Sequence, residues 1–334
     1  MANKSVWKIL FEGFKIYSLN MHKFFLYMAF PVLGQISGIF LIFGLSYWYT
    51  QNINALTIKY PVLNDVSAMI AFAILLIIPG LLLFTKAFWD YLVAYVAINS
   101  MTEGYLNTGK VYDFKAHNDI VYQKTFSFVL LWTLFGIFSL LSSLPVFWIL
   151  GIIFFVYFVL IFQVFTFENG LSPVGYFKRS FAVIKGNFVR TFLLMGVLAL
   201  LTYWLLVSGV SVIFDVLNFT KPLTKIFETW VYTLPLDYLY KFGITPTIIA
   251  QQILAQFIFM LVVMFTLPVR SICWTLWYKN LNKEVVTKSK KTNKKTPKKV
   301  VKSKTTKLPE NFKIEKRGID PEIIRRARLE DNEY

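Results

Sequence analysis

Hydrophobic residues fill several long stretches of this chain, with hardly a charged side chain inside them. The segment from Phe24 to Tyr49 contains no Asp, Glu, Lys, Arg or His. Similar runs recur at Ser67 to Phe84, Phe126 to Phe167, Thr191 to Phe214 and Thr245 to Val269. A helix needs about 20 apolar residues to cross a hydrocarbon core of about 30 Å. The pattern therefore predicts a protein that spans a membrane.

The unbroken length of these runs favours helices over strands, because strands of a membrane barrel would alternate apolar and polar residues. We predict an all-α polytopic integral membrane protein with six transmembrane helices in three hairpins. The predicted spans are about Phe24 to Tyr49, Ser67 to Ile98, Phe126 to Leu144, Val146 to Phe167, Phe188 to Phe214, and Ile248 to Tyr278. Pro145 separates the third span from the fourth, since proline cannot donate to the helical hydrogen-bond ladder.

Composition agrees with a lipid environment. Hydrophobic residues make up 56% of the chain and charged residues 16%, whereas charged residues approach a quarter of an ordinary soluble protein. The single cysteine, Cys273, cannot form an internal disulfide, and we interpret it as a packing residue of the last span.

The positions of Lys and Arg predict the orientation, because basic residues in short loops are retained in the cytoplasm. One side would hold Lys4, Lys8, Lys15, Lys23, Lys110, Lys115, Lys124, Lys178, Arg179, Lys185, Arg190 and a basic tail, and the other Lys59, Lys221, Lys225 and Lys241. Both termini are therefore predicted to be cytoplasmic.

Two segments that precede spans have apolar residues spaced three, four and three apart. These residues are Trp7, Leu10, Phe14 and Tyr17 in one segment, and Val174, Phe177, Phe181 and Ile184 in the other. The spacing predicts amphipathic helices at the membrane surface, each with its basic face toward anionic headgroups. The predicted headgroup contacts are Lys8, Lys15, Lys23, Lys178, Arg179, Lys185 and Arg190. Ser172 and Pro173 are typical of the start of the second helix, and Gly186-Asn187 of its end.

Charge inside the spans is confined to a few positions near helix ends. Lys86 and Asp90 are four residues apart, so they are predicted to pair on one helical face. Arg270 is predicted to reach toward the cytoplasmic surface or to pair. On the opposite side, the segment from Asp215 to Thr245 is predicted to contain a short surface helix.

The C-terminal part divides the chain into three predicted regions. Residues 1–282 form the six-span domain, residues 283–311 a disordered basic linker, and residues 312–334 a short segment with a marginal helix. Lys283 to Lys307 contains eleven lysines and only one acid, Glu284.

Three kinds of partner fit the basic tail. The first is anionic lipid, the second is nucleic acid (RNA, ribosomes or DNA) bound through its phosphates, and the third is an acidic protein. The residues predicted to make these contacts are Lys290, Lys291, Lys294, Lys295, Lys298 and Lys299. Since no aromatic residue lies among these lysines, base stacking is disfavoured and any nucleic-acid contact would be nonspecific.

No pattern in the chain indicates catalysis, a cofactor or a metal. His22 and His117 have no partner at metal or triad spacing, and phosphate-loop, nucleophile-elbow and zinc-protease motifs do not occur. We therefore predict a noncatalytic membrane protein. The main alternative is a small-molecule or lipid transporter, in which helices bent at Pro31, Pro79-Gly80 or Pro268 would frame a site. A membrane tether for ribosomes or nucleic acid is a second alternative.

Two short stretches resemble a known family. They are Ser172-Pro173 with Phe177-Lys178-Arg179-Ser180 and Lys185-Gly186-Asn187-Phe188, and then Trp277-Tyr278-Lys279-Asn280-Leu281. They resemble motifs of the six-helix bacterial membrane domain found fused to some glycerophosphodiester phosphodiesterases and in related inner-membrane proteins. Asn280 and Asn282 depart from the acid and the arginine of that family's closing motif. The resemblance implies the six-helix fold in a bacterial inner membrane, without the activity of the separate phosphodiesterase domain.

Overall fold

The computed structural model of the protein describes residues 4–112, 114–232 and 243–295, with side chains for all of these except 114–116 and 283–295. Within these ranges the chain is helical and contains no strand. The helices are α1 (Val6–Leu19), α2 (Met21–Lys59), α3 (Val66–Thr108), α4 (Phe114–Tyr122), α5 (Thr125–Ser142), α6 (Trp148–Phe158), α7 (Ile161–Phe167), α8 (Pro173–Ile184), α9 (Phe188–Ala199), α10 (Ser208–Val216), α11 (Thr220–Val231) and α12 (Pro246–Lys295).

Six segments are long and apolar enough to cross a membrane, which confirms the number and place of the predicted spans. They are Met21–Lys59, Val66–Thr108, Thr125–Ser142, Pro145–Phe167, Phe188–Val216 and Pro246–Asn282. A 3-10 turn at Pro145–Phe147 separates the third from the fourth, as the proline predicts. Several helices continue past the predicted ends, because polar residues at a helix end stop the apolar pattern without stopping the backbone hydrogen bonds.

The backbone forms two compact units. The first comprises Met1–Ile16, Val96–Leu193 and Ser271–Tyr334, and the second comprises Tyr17–Tyr95 and Leu194–Arg270. α1, α3, α9 and α12 each contribute residues to both.

Aromatic side chains fill much of the first unit. The rings of Trp132 on α5 and Phe162 on α7 lie 4.3 Å apart, and Phe138 of α5 stacks on Phe154 of α6 at 4.8 Å. Phe177 of α8 packs edge-on against Phe158 at 5.2 Å. These ring contacts hold α5, α6, α7 and α8 together at their apolar faces.

In the second unit, α2 and α3 approach closely where both carry glycine. A Cβ atom on Gly38 would lie 2.7 Å from the backbone nitrogen of Phe84, and one on Gly80 would lie 2.9 Å from that of Ile42. Gly34 and Gly38 form a small-xxx-small pair, which lets two membrane helices approach at backbone distance.

The second segment of this unit, Leu194–Arg270, includes a wide helical turn and the short helix α11. Residues Leu200–Val207 between α9 and α10 form a π-helix. Asn218, with a φ of 56°, reverses the chain into α11, whose Phe227 is buried. This helix confirms the short helix predicted between Asp215 and Thr245. Trp230 of α11 packs on Phe40 of α2, with centroids 5.4 Å apart.

The structure continues α12 to Lys295, beyond Lys283 where the disordered linker was predicted to begin. Residues 296–334, which include Lys298, Lys299 and the marginal helix of the tail, lie outside the described residues.

Candidate functional site

A buried cluster of polar side chains joins three helices of the first unit at Asn99. The Oδ1 atom of Asn99 on α3 accepts hydrogen bonds from Ser271 Oγ at 2.6 Å, Thr275 Oγ1 at 3.1 Å and Gln163 Nε2 at 3.2 Å. Its Nδ2 atom donates to Thr166 Oγ1 at 3.4 Å. All five residues are buried. Because every member is neutral, the cluster suits hydrogen bonding between helices more than proton transfer.

Sequence reasoning found only part of this cluster. Gln163 and Thr166 lie inside the predicted fourth span, Val146 to Phe167, whereas Asn99 was missed because the predicted second span ended at Ile98. Ser271 and Thr275 are four residues apart, so they lie on one face of α12. That spacing was the only signal of a polar contact on α12, and it indicates a site only once the amide of Asn99 is known to face it.

We call the stretch of α12 from Trp277 to Asn282 the hub, because five of its six residues contact five other segments of the first unit. Tyr278 donates from its hydroxyl to Glu168 Oε1 at 2.7 Å, and its ring stacks on Phe167 at 5.4 Å. Glu168 also accepts from Arg179 Nε at 2.8 and 2.9 Å. Arg179 Nη2 in turn donates to Asn282 Oδ1 at 2.9 Å. The hub thus ties α12 to the end of α7 and to α8.

The remaining hub residues reach different partners. Trp277 is fully buried and donates from Nε1 to Thr191 Oγ1 at 3.1 Å. Lys279 forms an ion pair with Glu103 of α3. Asn280 Oδ1 accepts from the backbone nitrogen of Lys4 at 3.2 Å. Since successive residues on a helix point about 100° apart, these contacts surround α12.

Lys124, just before α5, is a partly buried cation near Glu168, the residue that Tyr278 of the hub contacts. Its Nζ donates to the carbonyl oxygens of Phe165 at 3.1 Å and Glu168 at 3.4 Å. Burial lowers the pKa of Lys124, because removing water disfavours the charged ammonium. Lys124 also lines a pocket of about 310 Å³ that it shares with polar residues of α5 and with Tyr176.

His117 and Cys273 are both buried in the first unit. His117 Nδ1 lies 2.9 Å from Ser100 Oγ, and the roles of donor and acceptor depend on the tautomer. Cys273 packs against Gly13, where an added Cβ would collide with its sulfur. Among the described residues, no group of His, Cys, Asp and Glu is arranged to hold a metal ion.

The predicted headgroup residues fall into two sets. The first set is exposed: Lys8 and Lys15 lie on α1, Lys178 lies on α8, and Lys185 directly follows α8. Lys23 is half-buried. Arg179 is held by Glu168 and Asn282, and Arg190 Nη2 donates to the carbonyl oxygen of Lys4 at 2.9 Å. Their contact with lipid stays a prediction. Lys290, Lys291, Lys294 and Lys295 lie on the described backbone of α12.

Comparison of the chain with protein-family models, curated proteins and solved structures found no match in any of the three.

Proposed function

We propose that this protein is a noncatalytic, multi-pass protein of a bacterial inner membrane whose basic surface helices bind anionic lipid. In this proposal the spans form three hairpins with both termini in the cytoplasm, and the protein belongs with the six-helix membrane domains that it resembles. An acidic protein is a second partner for the predicted contact lysines between Lys290 and Lys299. The observation that carries the proposal is the exposed face of α1.

That face combines aromatic residues with lysines. Trp7, Phe11 and Phe14 are 58%, 74% and 44% exposed, and Lys8 and Lys15 lie at the edge of the same face. The opposite face, with Ile9 and Ile16, is buried. A helix held by the protein on one side and presenting aromatic rings beside lysines on the other suits the boundary between acyl chains and headgroups.

The four apolar residues predicted to form one stripe of α1 do not share one environment in the structure. Leu10 and Tyr17 are buried, while Trp7 and Phe14 are exposed. The reason is that Val6, Ile9 and Gly13 lie beside Leu10 and Tyr17 on the helix and extend the apolar surface around it. Packing uses that broader surface and leaves the aromatic edge outside.

The second surface helix, α8, has the same arrangement. Val174 and Phe181 are exposed, and Lys178 lies next to them on the helix surface, as Lys185 does where the helix ends. Tyr176 and Val183 are buried on the other face. Because Arg179 connects α8 to Glu168 and Asn282, the hub supports a fixed position for this helix rather than a mobile one.

The test compares full-length protein in nanodiscs of zwitterionic lipid and in nanodiscs containing phosphatidylglycerol. We expect anionic lipid to raise the thermal stability of the wild type, because headgroup charge attracts exposed lysines. The quadruple variant Lys8→Gln, Lys15→Gln, Lys178→Gln and Lys185→Gln should lose most of that gain. The matched control is Lys221→Gln with Lys225→Gln, two exposed lysines of α11. An undiminished gain in the quadruple variant would refute the proposal.

A further inference from the structure

Arg270 is a cation within the last membrane-spanning segment, Pro246–Asn282, and belongs to the second unit. It is half-buried. A guanidinium has five N–H donors and stays charged at any physiological pH. A cation at membrane depth is costly, so such residues are paired or belong to functional sites.

The acids of the second unit that the structure describes are all engaged elsewhere. Asp90 pairs with Lys86 at 2.5 Å, and Asp65 Oδ2 accepts from the backbone nitrogen of Ala68 at 3.0 Å. Asp215 bonds to Thr220, and Glu228 Oε1 accepts from Thr247 at 2.5 Å. Within the described ranges, the guanidinium of Arg270 has neither a carboxylate partner nor a hydrogen-bond acceptor. The described residues thus leave this fork of donors available to a ligand.

One tyrosine ring lies against the guanidinium, and two tyrosines of another segment interact with its charge. Its central carbon lies 5.8 Å from the ring centroid of Tyr203 in the π-helix. Tyr91 and Tyr95, one turn apart on α3, are close enough to Arg270 to interact with its charge. Tyrosine offers a ring face to the cation and a hydroxyl that donates to an anion. Arg270 therefore lies near phenol side chains of two other segments within the second unit.

The direction of the side chain argues against simple extension toward the surface. Tyr203 stacks on Phe259 with centroids 5.7 Å apart, and Arg270 lies over the same tyrosine. The sum of these two distances is smaller than the rise of about 16 Å along the axis of α12 between the backbones of Phe259 and Arg270. Arg270 thus reaches back along α12, as helical side chains do, into the span rather than toward its C-terminal end.

The π-helix explains how Tyr203 comes to lie there. Residues Leu200–Val207 take the wider turn, which shifts the register of side chains within an otherwise regular span. π-helical turns are rare and are often found at functional sites. Here the turn carries the ring that contacts the cation.

We propose that Arg270, with Tyr91, Tyr95 and Tyr203, forms a binding site for a phosphate group. The planar guanidinium matches the oxygens of phosphate in a two-pronged contact, and tyrosine hydroxyls donate to the remaining oxygens. The phosphate comes either from a phospholipid headgroup or from a free anion, and the chemistry of recognition is the same. This site is separate from the surface helices α1 and α8, and it does not depend on the function proposed for them.

The experiment measures binding to the delipidated full-length protein in detergent. Phosphatidylglycerol is titrated by native mass spectrometry, and inorganic phosphate is titrated separately by calorimetry. We expect Arg270→Gln to weaken binding at least about tenfold, because a charge-assisted contact is lost. Lys225→Gln, which removes an exposed cation of the same unit, should bind like the wild type. Equal binding by Arg270→Gln and wild type overturns the proposal, as does a wild type that binds neither probe.

The two probes identify the source of the phosphate. Binding of the lipid alone assigns a headgroup site, and binding of both probes assigns a site for phosphate in general. If Arg270→Gln does not fold, the variants Tyr91→Phe and Tyr203→Phe decide, because they keep the rings and remove the hydroxyls. Weaker binding by either supports the site, and unchanged binding by both overturns it.

Discussion

The two units of this protein hold their helices together by different means. In the first, Asn99 collects hydrogen bonds from Gln163, Ser271 and Thr275 inside the helical packing. In the second, Gly38 and Gly80 bring two backbones into direct contact. Lipid tails are as apolar as leucine, so burial alone gives membrane helices little reason to associate. Hydrogen bonds between polar side chains and close packing of backbones are two other ways to hold such helices together, and this chain uses both.

The largest effect should come from the close backbone approach in the second unit. Gly38→Val places branched carbons where Phe84 already lies, so we expect a loss of about 3 kcal/mol in the free energy of unfolding. Titration with a denaturing detergent in mixed micelles measures it. Gly44→Val is the control, because an added Cβ there meets nothing within 4 Å. Equal losses in the two variants would contradict the proposed role of the contact.

The next largest effect should come from the polar cluster in the first unit. Asn99→Leu removes the acceptor shared by three donors and leaves them buried without it. We expect a loss of about 2 kcal/mol in the unfolding free energy, since single hydrogen bonds in membrane proteins contribute about 0.6 kcal/mol on average. A variant as stable as the wild type would show that packing, not hydrogen bonding, holds this unit.

A smaller effect should follow from removing the charge that links α8 to the hub. Arg179→Gln breaks the contact with Glu168, whose side chain is 22% exposed, so we expect a loss of about 1 kcal/mol in the unfolding free energy. The neighbouring variant Lys178→Gln should change the stability by less than half as much, since Lys178 is exposed. High salt should reduce the difference between the two variants, and a difference independent of salt would argue against an ion pair.

The smallest effect should come from one hydrogen bond of the hub. Trp277→Phe keeps a ring in the buried site but removes the donor to Thr191, at an expected loss of about 0.5 kcal/mol beyond the change in ring size. A double-mutant cycle with Thr191→Val isolates that contribution. A coupling energy of zero would mean that Trp277 acts through its volume alone.

Several local features could be predicted because they depend on neighbours along the chain. Ser172 caps α8 by accepting a hydrogen bond from the backbone nitrogen of Gly175 at 3.2 Å, and Gly186 follows with a φ of +87°. Lys86 and Asp90 form the expected pair. Each of these contacts spans a few residues, so propensity and helical geometry are sufficient.

The candidate sites could not be predicted in the same way. Asn99 meets Ser271 across a separation of 172 residues, and Lys279 meets Glu103 across 176. Nothing in the local pattern around Arg270 indicates that Tyr203 will lie over it, because that contact depends on a π-helical turn in another span.

The amino-acid sequence by itself determined that the described part of the chain is helical and that six of its segments are long and apolar enough to cross a membrane. The reason is that hydrocarbon excludes unpaired peptide groups and long stretches of charge, and this constraint acts on each segment separately. Only the tertiary structure decided which polar residues meet, which face of α1 is covered and which aromatic ring lies beside Arg270. Those outcomes depend on how distant helices pack, because a side chain's partner is set by the neighbouring helix and not by the residues beside it.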